Sequence, residues 1–227
     1  FEAQVATRVQ QELGKATGLR VTVGPSSFSL ASFTVRVESI DVQRPGTPRL
    51  AHIDAVEVTP SVTDLLRGRV QLTSVNVDGG EVDLRFASRD GSIQLINGPV
   101  TRSSGSTGSS DLPFRDIAIS DVRVKVDHPV LGRIDLSTVD LDLLNTPNRR
   151  LMIGLMAAGG EVHNPQLDGP VERLEARLGV QLDTGAVHVA LAHVVVNHIA
   201  VQVREADYAP RDQRVSADLR VEGPIPD

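Results

Sequence analysis

The chain has 227 residues, 40% hydrophobic and 23% charged, with a formal net charge of −6, no Cys, no Trp, one Tyr and five Phe. The balance is that of globular material, and without a thiol there can be no disulfide framework, zinc-thiolate site, iron-sulfur cluster or cysteine nucleophile. Negative charge without a basic block, together with few aromatics, argues against a nucleic-acid partner, and no apolar run reaches the roughly 18 residues of a spanning helix.

The opening residues 1–18 place Phe1, Val5, Val9 and Leu13 four apart, with Gly14 and Gly18 as stop signals. This spacing predicts a short amphipathic helix, read here as a cap over the first open edge of a sheet. The start at Phe1, inside what reads as a continuing element, suggests a fragment whose N-terminus lies upstream. From Leu19 the hydrophobic period changes to two, and strand-like text rich in Val, Ile and Leu runs to the C-terminus.

Within that text one spacing recurs: apolar, any, apolar, two others, apolar, any, apolar. It is carried by Val35, Val37, Ile40 and Val42; by Val70, Leu72, Val75 and Val77; by Ile117, Ile119, Val122 and Val124; by Ile134, Leu136, Val139 and Leu141; and twice between Val187 and Val203. On a helix these positions scatter around the circumference. On a strand they share one face if an extra residue is inserted at the centre, as a β-bulge provides. The unit is a bent, one-sided strand.

Asp78-Gly79-Gly80, Arg89-Asp90-Gly91 and Asp183-Thr184-Gly185 read as hairpin turns, and so predict an antiparallel meander. LEARLGVQL, residues 174–182, alternates strictly and is read as a strand. A turn or two of helix is expected at SVTDLLRG, where Ser61 and Asp64 form a weak capping box. Residues 101–110, TRSSGSTGSS, read as a flexible insertion in a sheet that continues on both sides, so the chain is taken as a helix over 1–18 and one β module over 19–227.

A dozen one-sided strands with almost no helix leave a long apolar face to cover. The scarcity of aromatics favours a sheet curled into an open groove over a packed sandwich. The fold expected is therefore mostly β: an extended, twisted antiparallel sheet curled into a groove about 60 Å long, from about twelve strands at ~4.8 Å each. Its lining is assigned to Val35 and Val37, Val56 and Val58, Val82 and Leu84, Val122 and Val124, Leu141 and Leu143, Val180 and Leu182, and Val201 and Val203. The ordinary alternative for these residues is a closed hydrophobic core.

No chemical signature competes. His188, His193 and His198 recur every five residues, but odd spacing sets His193 on the opposite strand face unless a bulge intervenes, and surface histidines are the plainer reading. Asp140 and Asp142 share a face and alternate with Val139, Leu141 and Leu143, as on the wetted side of a strand. No GxSxG elbow occurs, and Gly79-Gly80 lacks the helix and Lys of a phosphate loop. Neither an enzyme, a metal site nor a cofactor is expected.

The segments LAHIDAVEVTPSVTDLLRGRVQLTSVNVDGGEVDLRFASRDGSIQL (50–95), LPFRDIAISDVRVKVDHPVLGRIDLSTVDLDL (112–143) and ATGLRVTVG near the start resemble the N-terminal region of AsmA-like proteins, especially the TamB branch. The resemblance covers most of the chain and rests on layout, with no catalytic motif. It implies a periplasmic body of β-groove modules, held at the inner membrane by an upstream anchor absent from this chain. It further implies phospholipid acyl chains as the groove's contents and an outer-membrane barrel protein as a partner, in lipid transport or, alternatively, in outer-membrane assembly by β-augmentation.

Overall fold

The computed structural model describes residues 19–29, 31–67, 71–89, 92–98, 114–165, 168–209 and 214–223. The helix expected over 1–18 and the insertion at 101–110 lie outside them. The strands, in chain order, are β1 (Arg20–Val23), β2 (Ser26–Ser29), β3 (Thr34–Gln43), β4 (Arg49–Pro60), β5 (Leu72–Arg89), β6 (Ser92–Leu95), β7 (Phe114–His128), β8 (Gly132–Asn145), β9 (Arg150–Ala157), β10 (Gly160–His163), β11 (Gly169–Gln181), β12 (Val187–Val196), β13 (Ile199–Ala209) and β14 (Arg214–Glu222), with one short helix α1 (Val62–Leu66). Ahead of α1, the Ser61 hydroxyl donates to Asp64 Oδ2 at 2.6 Å and lies 3.4 Å from the Asp64 backbone N–H, the expected capping contact.

All fourteen strands belong to one curled sheet. They occupy eleven positions across it, because β1 and β2 share one beside β3, β9 and β10 share one between β8 and β11, and β6 pairs only with the far end of β5. At ~4.8 Å per strand the sheet extends about 48 Å across its strands, shorter than the strand-counting expectation.

Pairing is antiparallel with one exception. β7 runs parallel to β5, Leu72 opposite Phe114 and Arg85 opposite Asp127, which corrects the expectation of a meander throughout. After β6 the chain re-enters the sheet beside the start of β5. A parallel pair needs a connection of a dozen or more residues, and residues 96–113, which include the Ser- and Gly-rich stretch, meet that length.

A second correction concerns Gly79-Gly80. It is no hairpin turn but the centre of the 18-residue strand β5. Both glycines have positive φ, 71° and 137°, and a Cβ on Gly80 would run into the His52 carbonyl oxygen of β4. Gly159 and Gly160, at φ 86° and 146°, repeat the device between β9 and β10, with Gly160 against the Asp135 carbonyl oxygen. Of the other two predicted turns, that at Arg89-Asp90-Gly91 has Asp90 and Gly91 outside the described residues, with Arg89 and Ser92 paired on either side, and at Asp183-Thr184-Gly185 the Gln181 N–H donates to Ala186 O at 2.8 Å.

Gly79 lies on a line of phase slips crossing the sheet. The registers set Gly24, Ser39, Asp54, Gly79 and Asp121 side by side. Ser39 and Asp121 also have positive φ, at 56° and 55°. The line is bonded: the Gly24 N–H donates to Ser39 O at 3.0 Å and the Asp121 N–H to Asp140 Oδ1 at 3.1 Å. Beyond β7 it moves to the irregularity in β8 around Ser137, whose N–H reaches Gly159 O at 3.2 Å.

The accessible surface is 14875 Å², against about 10,000 Å² for a compact monomer of 24.3 kDa. Among the described residues one hydrophobic cluster forms, where Leu136, Val139, Ala157, Val162, Val171 and Val196 pack together; Leu19, Ala55 and Val122 are buried outside it.

Asn97 closes a gap in the ladder. It is fully buried, accepts the Arg85 N–H at Oδ1 (3.0 Å) and donates from Nδ2 to Asp83 O (2.6 Å), so its amide stands in for a peptide unit between β4 and β6. Urea unfolding should show Asn97→Ala destabilised by about 2 kcal/mol, from two orphaned backbone groups. In the same assay Gly80→Ala should cost about 3 kcal/mol, from strain plus collision. Gly46→Ala, at φ 79° with open space around it, should cost about 1 kcal/mol.

Candidate functional site

Strand partners lie on the same face, so the registers show how the apolar residues line up between strands. One row runs Val35, Val58, Val75, Ile117, Leu143, Ile153, Leu178, Val189, Ala206, Ala217. The next runs Val37, Val56, Val77, Ile119, Leu141, Leu155, Ala176, Ala192, Val203, Leu219. Across the slip line a third runs Ile40, Ile53, Gly80, Val122, Val139, Ala157, Leu174, Val194, Val201, Val221. Each crosses ten strand positions, and only Gly80 lacks an apolar side chain. Shorter rows join Val82 to Val124 and Leu136, Leu84 to Val126, Ile134 and Val162, and Val180 to Leu151, Val187 and Tyr208.

The predicted lining residues fall into these rows, with one exception: Leu182 lies past the end of β11, in the turn, where its N–H donates to Arg149 O at 2.9 Å. The others are half-buried except Val122, which is 4% exposed. Half-burial is what a single layer gives when nothing among the described residues lies over it. The lining is aliphatic, and hydrocarbon is the partner such a surface favours, at roughly 25 cal/mol per Å² removed from water.

The opposite face carries the charge. Arg49 Nη1 meets Asp41 Oδ1 at 3.0 Å, and His52 bridges Asp41 (2.9 Å) and Asp54 (3.3 Å). Lys125 meets Glu81 at 2.7 Å, and Arg173 and Arg177 flank Glu175 at 2.9 and 3.1 Å. A cleft of about 350 Å³ over Gly79 and Gly80 is lined by Arg49, His52, Asp54, Glu81, Asp121 and Arg123. It marks where the two glycines leave out side chains. Asp140 and Asp142 are exposed on this face, and Asp140 serves the bulge at Asp121.

The bulge that sequence spacing left open does intervene in β12. Arg177 pairs with Leu191 and Leu178 with Val189, so Ala190 is extra and His188 and His193 both reach the charged face. Five strand residues put about 16 Å between them, too far to share an ion. His188 meets Asp207 at 2.7 Å, while His198, in the turn, meets Glu172 at 2.8 Å. Sequence reading missed Asn97 and the paired GGEV segments at 79–82 and 159–162; the repeat of those four residues was the available signal.

No family model matches the chain, and a search of curated proteins finds no match.

The charged face makes stability depend on pH in two opposite ways. Asp41 is held below its ordinary 3.8 chiefly by the His52 hydrogen bond, and Glu81 below 4.5 chiefly by that of Lys125. Their contributions are complete above those ordinary values and vanish as pH falls through the lowered ones. His163 is raised above 6.5, first by its hydrogen bond to Asp168, 3.0 Å away, and then by Glu161. Its contribution is complete below 6.5 and vanishes as pH rises through the raised value. The melting temperature followed by circular dichroism should therefore drop on acidification below about pH 4. An NMR titration should place the His163 midpoint above 6.5, with Asp168→Asn lowering it.

Proposed function

We propose that this chain is a section of a lipid conduit, in which phospholipid acyl chains lie along the apolar face while their headgroups stay in water. The observation that carries this reading is the set of aliphatic rows, each crossing ten strand positions and interrupted only at Gly80. The sheet's extent of about 48 Å compares with about 15 Å for the acyl region of one leaflet, half of a ~30 Å hydrocarbon core. A surface that long suits passage along it better than a single bound molecule. Movement needs no chemical step. The likeness to AsmA-like proteins supports a periplasmic setting, with the membrane reached through an upstream anchor. Its other implication, outer-membrane assembly with a barrel partner, draws on sheet edges and leaves the continuity of the rows without a purpose.

Aliphatic walls discriminate poorly between chains differing by one methylene. Organic extracts of the purified protein should therefore give, by mass spectrometry, a mixture of phospholipids with varied acyl lengths. Val56→Asp places a charge on the open part of the face. It should keep the circular dichroism spectrum and lose most binding of a fluorescent acyl probe. Val122→Asp, at a position 4% exposed, should instead unfold the protein. Failure of the native chain to take up the probe, or full binding by Val56→Asp, would sink the conduit.

A further inference from the structure

The apolar face is not equally open along its length. Over β3 to β5 four rows lie side by side with half-buried residues: those that begin at Val35, Val37 and Ile40, and a fourth joining Val42, Ala51 and Val82. From β7 onward the rows part company. The third is buried at Val122, Val139 and Ala157, which are 4%, 5% and 5% exposed, whereas the first two stay half-buried, as at Leu143 and Leu141. The fourth runs from Val82 through Val124 into Leu136, which is 8% exposed. Leu136, Val139 and Ala157 belong to the packed cluster, and in β11 and β12 the third-row residues Leu174 and Val194 lie against that cluster.

Side chains packed on one another have already given their apolar surface to protein, and a ligand could take it only by opening a close-packed cluster. The usable width of the face therefore falls. Val35 and Val42 stand seven residues apart in β3, at most about 23 Å, whereas the two rows left open further on are two residues, about 7 Å, apart. Building on the conduit reading, we infer that β7 to β12 form a constriction of the trough, where phospholipid acyl chains pass on the first two rows alone and the third is closed to them, while over β3 to β5 all four rows receive them. In the narrow stretch lipids follow one another instead of lying side by side.

The chain has no cysteine, so single introduced cysteines report on contact. Each variant is treated with a water-soluble methanethiosulfonate, alone and after incubation with phosphatidylcholine, and its modification is followed by mass spectrometry. The lipid should slow modification of Val56→Cys, Ile40→Cys and Leu143→Cys severalfold and leave that of Val194→Cys unchanged. Ile40 and Val194 belong to one row, so the contrast between them reads the constriction and not the row. Protection of Val194→Cys to the same degree as Ile40→Cys, or none at Leu143→Cys, would overturn the constriction while protection at Val56→Cys leaves the conduit standing. Absence of protection at every position, Val56→Cys included, would refute the conduit itself and the constriction with it. Should Val194→Cys fail to fold by circular dichroism, Leu174→Cys, on the same row and against the same cluster, decides in its place.

Discussion

Everything in this fold depends on keeping the two-residue period of a strand in phase through a bend. A slip of one position would turn every later valine of that strand from the apolar face to the charged one. The chain avoids this by slipping neighbouring strands together, so that Ser39, Asp54, Gly79 and Asp121 stand in line and Ile40, Ile53, Gly80 and Val122 resume a common face. The order is cooperative in a specific sense: each strand's bulge is acceptable only because its neighbour has one at the same height.

How much of this was legible depended on the range of the signal. The spacing of Ile117, Ile119, Val122 and Val124 already contained the bulge, since no other regular structure puts those four on one side. The direction of β7 was hidden, because parallel and antiparallel neighbours demand the same alternation and differ only in how the chain returns. Gly79-Gly80 misled for a related reason. Two glycines with positive φ serve a reversal and a bulge equally well, and the choice is made by β4, whose His52 carbonyl comes too close for a side chain. Asn97 was illegible because its role depends on the backbone of β5, twelve and fourteen residues away in sequence.

The candidate site was legible as a pattern but not as a surface. Reading Val35, Val56 or Val203 as apolar and inward was a strand-by-strand inference, whereas their alignment into rows is a property of registers that sequence does not print. The same step explains the histidines: His188 and His193 join one face through the extra Ala190, a tertiary fact dictated by β11.

The slip line also has a mechanical meaning. Bending stiffness in a sheet comes from regular pleating shared by neighbouring strands, and the left-handed residues Ser39 in β3, Gly79 in β5 and Asp121 in β7 interrupt that pleating along one line. Such a seam behaves as a crease. Flexing would concentrate along it, so that the two flanks could swing towards or apart from each other while the ladders on either side stay paired and no strand unfolds.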